Sequence, residues 1–217
     1  MIEDQTKSAE ALQEIRQMMQ RSSRFISLSG LSGISAGICA LIGAAIAYPY
    51  VFGYKNLFFN NELALKQMQE DDYFIIFNSP LFWIAAGTFL AALISSFLFT
   101  LSKSKKQHTP VWGWAAKRLI INVSIPILAG GIFLLRISQF GSPGLLAGGC
   151  LIFYGLGLIN ASKYTLNEIR YLGYLQILVG LVAIFFIGYG LYFWAFGFGI
   201  LHILYGCYMW WKYDRNK

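Results

Sequence analysis

One side chain that titrates near neutrality falls inside the long charge-free stretches of this 217-residue chain: His202. An imidazole in such surroundings could bind a ligand, ligate haem, pass a proton or serve as a base. At helical spacing, Ala195, Gly199 and Gly206 share its face. Another helix is therefore expected close to the ring, with a hydroxyl or carbonyl to satisfy it. Haem usually needs a second axial ligand, and the other histidine, His108, falls in a loop, so no cofactor is expected. The charge-free stretches contain no Asp or Glu, which removes the usual ligands and relays of ion-coupled pumps. Cys39, Cys150 and Cys207 lack pairing or metal spacing and are read as small hydrophobes, with no metal expected.

Two further groups could carry chemistry. Ser32 stands in Gly30-Leu31-Ser32-Gly33, which resembles the G-x-S-G motif of intramembrane rhomboid proteases. Catalysis would need its hydroxyl within hydrogen-bond reach of an imidazole base such as His202. The departure is positional: rhomboids carry the motif in a central helix, and Ser32 lies in the first apolar span, so no catalytic residue is assigned. Asn122 and Ser124 lie beside Pro126, which removes the hydrogen bond to the Asn122 carbonyl and should kink its helix. They could line a polar cavity together with His202, or hold neighbouring helices together.

The densest polar cluster is the corner from Asn160 to Tyr171. There Lys163 and Arg170 could receive a phosphate headgroup or an acidic partner, with Asn160 and Tyr164 orienting it. A capped turn with snorkelling bases is the simpler alternative.

The elements that position these residues follow from composition. Hydrophobic residues make up 57% and charged residues 12%, with a mean hydropathy of +0.55. Soluble domains usually carry about 25% charged residues, so a water-soluble globule, a nucleic-acid binder and a secreted disulfide scaffold are excluded. The charge-free runs 25–54, 73–102, 119–135, 137–162 and 171–211 hold six crossings at about 20 residues each. The fold expected is an all-α membrane bundle with spans at about 25–48, 80–102, 112–136, 143–162, 168–188 and 191–211. Ahead of it, residues 1–22 read as an amphipathic cytoplasmic helix, mixed in charge and without a cleavage site, so no signal peptide is expected. The remainder, 23–217, is the membrane domain.

Fourteen of the 17 basic residues fall in alternate loops, leaving Lys55, Lys66 and Arg136 opposite. Basic loops stay inside, so both termini are expected in the cytoplasm, and the net charge of +7 is topological. Ser79-Pro80, Thr109-Pro110 and Ser142-Pro143 each announce a helix start, and Thr165 with Glu168 spells a capping box for the fifth span. The last run must reverse at Gly188-Tyr189-Gly190 or Gly197-Phe198-Gly199, the first being preferred. No convincing repeat relates the first three spans as a set to the last three, so an inverted-repeat transporter gains no support. Gly33 and Gly37 form a small-residue seam, either within the bundle or between two copies in a homodimer.

The stretches RSSRFISLSGLSGISAG and NASKYTLNEIRYLG resemble a group of uncharacterised bacterial integral membrane proteins with six spans. That resemblance implies a bacterial cytoplasmic (inner) membrane setting and carries no activity with it. The reading of function is a non-enzymatic membrane protein that binds a lipid or a protein partner. The alternatives are a carrier for a small neutral or apolar solute and an intramembrane serine hydrolase.

Overall fold

The computed structural model describes residues 29–53, 79–107, 112–139 and 143–215. The amphipathic helix expected over 1–22, residues 54–78, and Thr109-Pro110 lie outside the described residues. Among those described, all regular structure is helical. Helix α1 spans Gly30–Tyr48 and continues as a π-helical turn Pro49–Gly53. Helices α2 (Pro80–Gln107) and α3 (Trp114–Gln139) follow. A 3₁₀ turn, Pro143–Leu145, leads into α4 (Leu146–Ala161), and α5 runs Ile169–Phe185. The last rod, α6, is compound: α-helical Gly190–Trp194, π-helical Ala195–Leu201, α-helical His202–Met209 and π-helical Trp210–Asp214.

Four of these helices are long and apolar enough to cross a bilayer: Gly30–Gly53, Pro80–Lys106, Trp114–Gln139 and Gly190–Tyr213. At 16 and 17 residues, α4 and α5 are apolar but shorter, about 24 and 26 Å at 1.5 Å per residue.

Local chemistry sets the boundaries. The Ser29 hydroxyl accepts a hydrogen bond from the Leu31 backbone N–H and caps α1. Pro80, which has no N–H to satisfy, opens α2. The chain reverses between α5 and α6 where Gly188 takes φ +98°, a backbone angle that residues with a Cβ rarely adopt. Gly197 and Gly199, the other pair considered for that turn, lie within α6. The capping box expected at Thr165–Glu168 does not open α5. The helix starts at Ile169, and the Glu168 carboxylate accepts hydrogen bonds from α6 instead.

Two antiparallel seams hold the bundle, and both use one 12-residue pattern, Gly-x3-Ile-x2-Gly-x3 followed by a large apolar residue. It occurs at 30–41, 148–159, 173–184 and 199–210. In the α4–α5 seam, a Cβ on Gly180 would lie 2.7 Å from the Gly148 carbonyl oxygen and 2.7 Å from Ile152 Cγ1. A Cβ on Gly155 would meet the Gly173 carbonyl and Ile177 Cγ1 at the same 2.7 Å. The α1–α6 seam repeats the arrangement, with Gly37 against the Gly199 carbonyl and Ile203, and Gly206 against the Gly30 carbonyl and Ile34. Each glycine thus admits the isoleucine of the facing helix and lets two backbones touch, which is how helices associate where lipid removes any hydrophobic drive. Gly33 and Gly37 both face α6 of the same chain. Helix α2 joins α1 through the Ser96 hydroxyl, which donates to the Ser32 carbonyl at 3.0 Å, and α3 packs on α4.

These contacts gather the start of α1, the end of α6 and the start of α5 at one end of the bundle. Trp114 of α3 meets Tyr164 there, with ring centroids 6.0 Å apart. Lys163, Arg170 and Lys212 belong to that end, whereas Arg136 is near the far end of α3.

Candidate functional site

The interior polarity converges on His202. Its ring sits where α4, α5 and α6 meet, at 6% exposure. The Gly197 carbonyl, inside the π-helical stretch of α6, collects two side-chain donors: the Gln176 amide Nε2 at 2.7 Å and the His202 Nδ1–H at 3.1 Å. With Nδ1 protonated, Nε2 holds the lone pair and accepts from the Tyr154 hydroxyl at 2.8 Å. Gln176 is fully buried, and its amide nitrogen lies 3.3 Å from His202 Nδ1. A π-helical turn inserts an extra residue and often marks a functional position; here it brings the Gly197 carbonyl and the imidazole together. Two buried oxygens near this junction, Gln176 Oε1 and the Tyr205 hydroxyl, have no hydrogen-bond partner among the described residues.

This arrangement places the sequence candidates differently from their expected grouping. Gly199 and Gly206 do bring a helix close to α6, but that helix is α1, while the imidazole reaches α4 and α5. Asn122 does not join His202: its amide donates to the Arg118 carbonyl of its own helix at 2.8 Å. Ser124 is half-buried on α3, beside Pro126 inside that helix. Ser32 and His202 form no nucleophile–base pair. The Ser32 hydroxyl donates to the Ser29 carbonyl at 2.6 Å, and both ring nitrogens of His202 are engaged elsewhere.

The network is a stability element that can be weighed. Tyr154→Phe should lower the unfolding free energy by about 1 kcal/mol, the usual size of an interhelical hydrogen bond in a membrane protein. Thermal unfolding in detergent is the check, and a change below about 0.3 kcal/mol would mean the bond contributes nothing.

At the basic end of the bundle, the corner residues divide. Arg170 reaches back to the Ser162 hydroxyl at 3.5 Å, and Tyr164 packs edge-on against Trp114, over which Arg118 sits at 5.5 Å. Asn160 is half-buried and Lys163 exposed. The closest-knit group lies one turn further on, between α5 and α6. Glu168 Oε1 accepts from Lys212 Nζ at 2.6 Å and from the Tyr213 hydroxyl at 2.7 Å. Glu168 and Lys212, with Tyr205 and Tyr208, form the mouth of a furrow of about 550 Å³ whose walls are Leu172, Leu175, Leu201 and Leu204. A second hollow of about 860 Å³ lies along the same α5–α6 boundary toward the other end, lined by Leu178, Val182, Phe193 and Ile200. Leu175 and Leu204 are exposed, so the furrow opens sideways from the bundle.

Partial burial on its own would raise the Glu168 pKa. The hydrogen bonds from Lys212 and Tyr213 outweigh that and hold the carboxyl below its ordinary range. A depressed carboxyl stabilises the fold fully above the unfolded-state value, about 4.3, and loses that contribution as pH falls through the folded value. Thermal stability of the native chain is therefore expected to drop more between pH 5 and pH 3 than that of Glu168→Gln. Parallel melting profiles would show that the pair contributes nothing.

No local pattern in the sequence marks Tyr154 or Lys212. Gln176 carries a signal of its own, because a side-chain amide inside the 171–211 run needs a partner as an ionisable group does.

No family model, curated protein or solved structure matches this chain.

Proposed function

We propose that the chain is a multi-pass protein of the bacterial cytoplasmic (inner) membrane that binds a membrane lipid without transforming it, in the furrow between α5 and α6. The observation that carries this reading is the furrow's polarity: leucine walls open to the bilayer, and a charged, tyrosine-rich mouth at one end. That is the polarity of an acyl chain followed by its headgroup. Its volume falls within the roughly 300–1,000 Å³ usual for ligand sites. Six crossings and cytoplasmic termini are part of the proposal. The 3₁₀ turn Pro143–Leu145 supports it by lengthening α4 by about 6 Å, toward the roughly 30 Å hydrocarbon thickness. The gathering of Lys163, Arg170 and Lys212 at one end supports the sidedness. That basic rim adds a general pull on anionic headgroups of about 1 kcal/mol per near-surface residue.

Native mass spectrometry of protein purified in mild detergent tests the reading. Lipid is expected to stay bound to the native chain. Leu204→Trp, which fills the furrow from an exposed wall position, should remove most of it. Equal retention by the variant would put the lipid elsewhere and sink the site.

A carrier for a small neutral solute is a second reading, supported by the two unpartnered oxygens of Gln176 and Tyr205. Solute-dependent thermal stabilisation that vanishes in Gln176→Leu would favour it.

A further inference from the structure

Lys212 does more than close an ion pair. Its ammonium lies 2.6 Å from the Glu168 carboxylate, 5.6 Å from the centre of the Tyr208 ring and 5.2 Å from that of Tyr213. One carboxylate and two aromatic faces around a single nitrogen make a cation cage, the arrangement proteins use to hold ammonium ligands. The cation inside belongs to the chain itself, and its side chain is 42% exposed against 16% for Glu168. Lys212 can swing out into solvent on its flexible stem while the carboxylate stays seated. Glu168, Tyr208 and Lys212 line the polar end of the leucine-walled furrow, where a lipid occupying that furrow would place its headgroup.

We propose that the cage formed by Glu168, Tyr208 and Tyr213 selects a phospholipid bearing a primary ammonium, of the phosphatidylethanolamine kind, and that Lys212 is its internal competitor. The inference rests on lipid occupancy of the furrow and adds the identity of the headgroup. On exchange, the ligand ammonium takes the Glu168 hydrogen bond, and the released Lys212 can pair with the phosphate one ethylene link away. Both protein charges then remain paired. An anionic glycerol headgroup offers no cation to Glu168 and would set its phosphate beside that carboxylate. A choline headgroup can use the ring faces but has no N–H to donate, so it forgoes the charge-assisted bond.

The test is headgroup competition. The full chain is reconstituted in nanodiscs of equal phosphatidylethanolamine, phosphatidylcholine and phosphatidylglycerol with identical acyl chains, extracted gently, and its retained lipids are counted by native mass spectrometry. The native chain should prefer ethanolamine over choline by about tenfold, the weight of one charge-assisted hydrogen bond. Glu168→Gln should bring that ratio near one, and Glu168→Asp should restore part of it. Lys212→Ala should keep or raise the preference, since it empties the cage without altering its walls. A native ratio near one, or a Glu168→Gln ratio equal to the native one, overturns the headgroup assignment and leaves furrow binding standing. Loss of all retained lipid from the native chain overturns both.

Discussion

Gly206→Leu should lower the melting temperature of the purified protein by about 10 °C or leave only aggregate. A Cβ at 206 would lie 2.5 Å from the Ile34 backbone nitrogen and 2.7 Å from the Gly30 carbonyl oxygen. Both are main-chain atoms of α1, so no rotamer change can yield, and the two helices must part along the whole seam. Overpacking a tight core costs about 1–3 kcal/mol, more where backbone is the obstacle. In lipid the loss is compounded, because separated helices regain no contact better than an acyl chain. The matched control is Gly131→Ala. Position 131 is also within a helix, but nothing lies within 4 Å of its Cβ direction. That change should stay within about 1 kcal/mol of the native chain, on the stabilising side if helix propensity decides. Similar melting of the two variants would mean that the α1–α6 seam does not hold the bundle. Size-exclusion profiles and thermal scans distinguish the outcomes.

His202→Ala should cost about 3 kcal/mol, well beyond Tyr154→Phe. Truncation removes a buried ring at a three-helix junction, and cavities of that kind cost about 2–5 kcal/mol. It also strips the Tyr154 hydroxyl of its acceptor, whereas the Gly197 carbonyl keeps the Gln176 amide. The double variant with Tyr154→Phe should be less destabilised than the sum of the singles by about 0.6–1.7 kcal/mol, the range for interhelical hydrogen bonds in membranes. Strict additivity would show that the imidazole and the phenol do not act on one another.

Much of the helical architecture is legible in the residues themselves. Charge-free runs, Ser79-Pro80 and the Gly188 reversal fall where regular hydropathy and turn chemistry put them. The seam pattern was also present in the sequence but hidden by composition. With 22 glycines in the chain, spacing alone does not show which ones matter. The facing partner reveals it: Gly173 and Gly180 earn attention only when Gly155 and Gly148 lie across from them. The site was partly legible. His202 was marked by its charge class, but its partners Tyr154 and Gln176 sit 48 and 26 residues away, and no local rule joins them. Glu168 misled because its spacing from Thr165 fits a capping box, while the carboxylate finds two stronger donors on α6. Tertiary competition for a charged acceptor is invisible in a four-residue window.

The two seams close at very different times during synthesis. Gly148 and Gly155 meet Gly180 and Gly173 after one short hairpin has emerged, so α4 and α5 can pair as soon as both have left the ribosome. Helix α1 is made before the other described helices, yet its partner surface on α6 is made last, roughly 160–175 residues later. At about 5–20 residues per second, that leaves the glycine face of α1 without its partner for on the order of ten to thirty seconds.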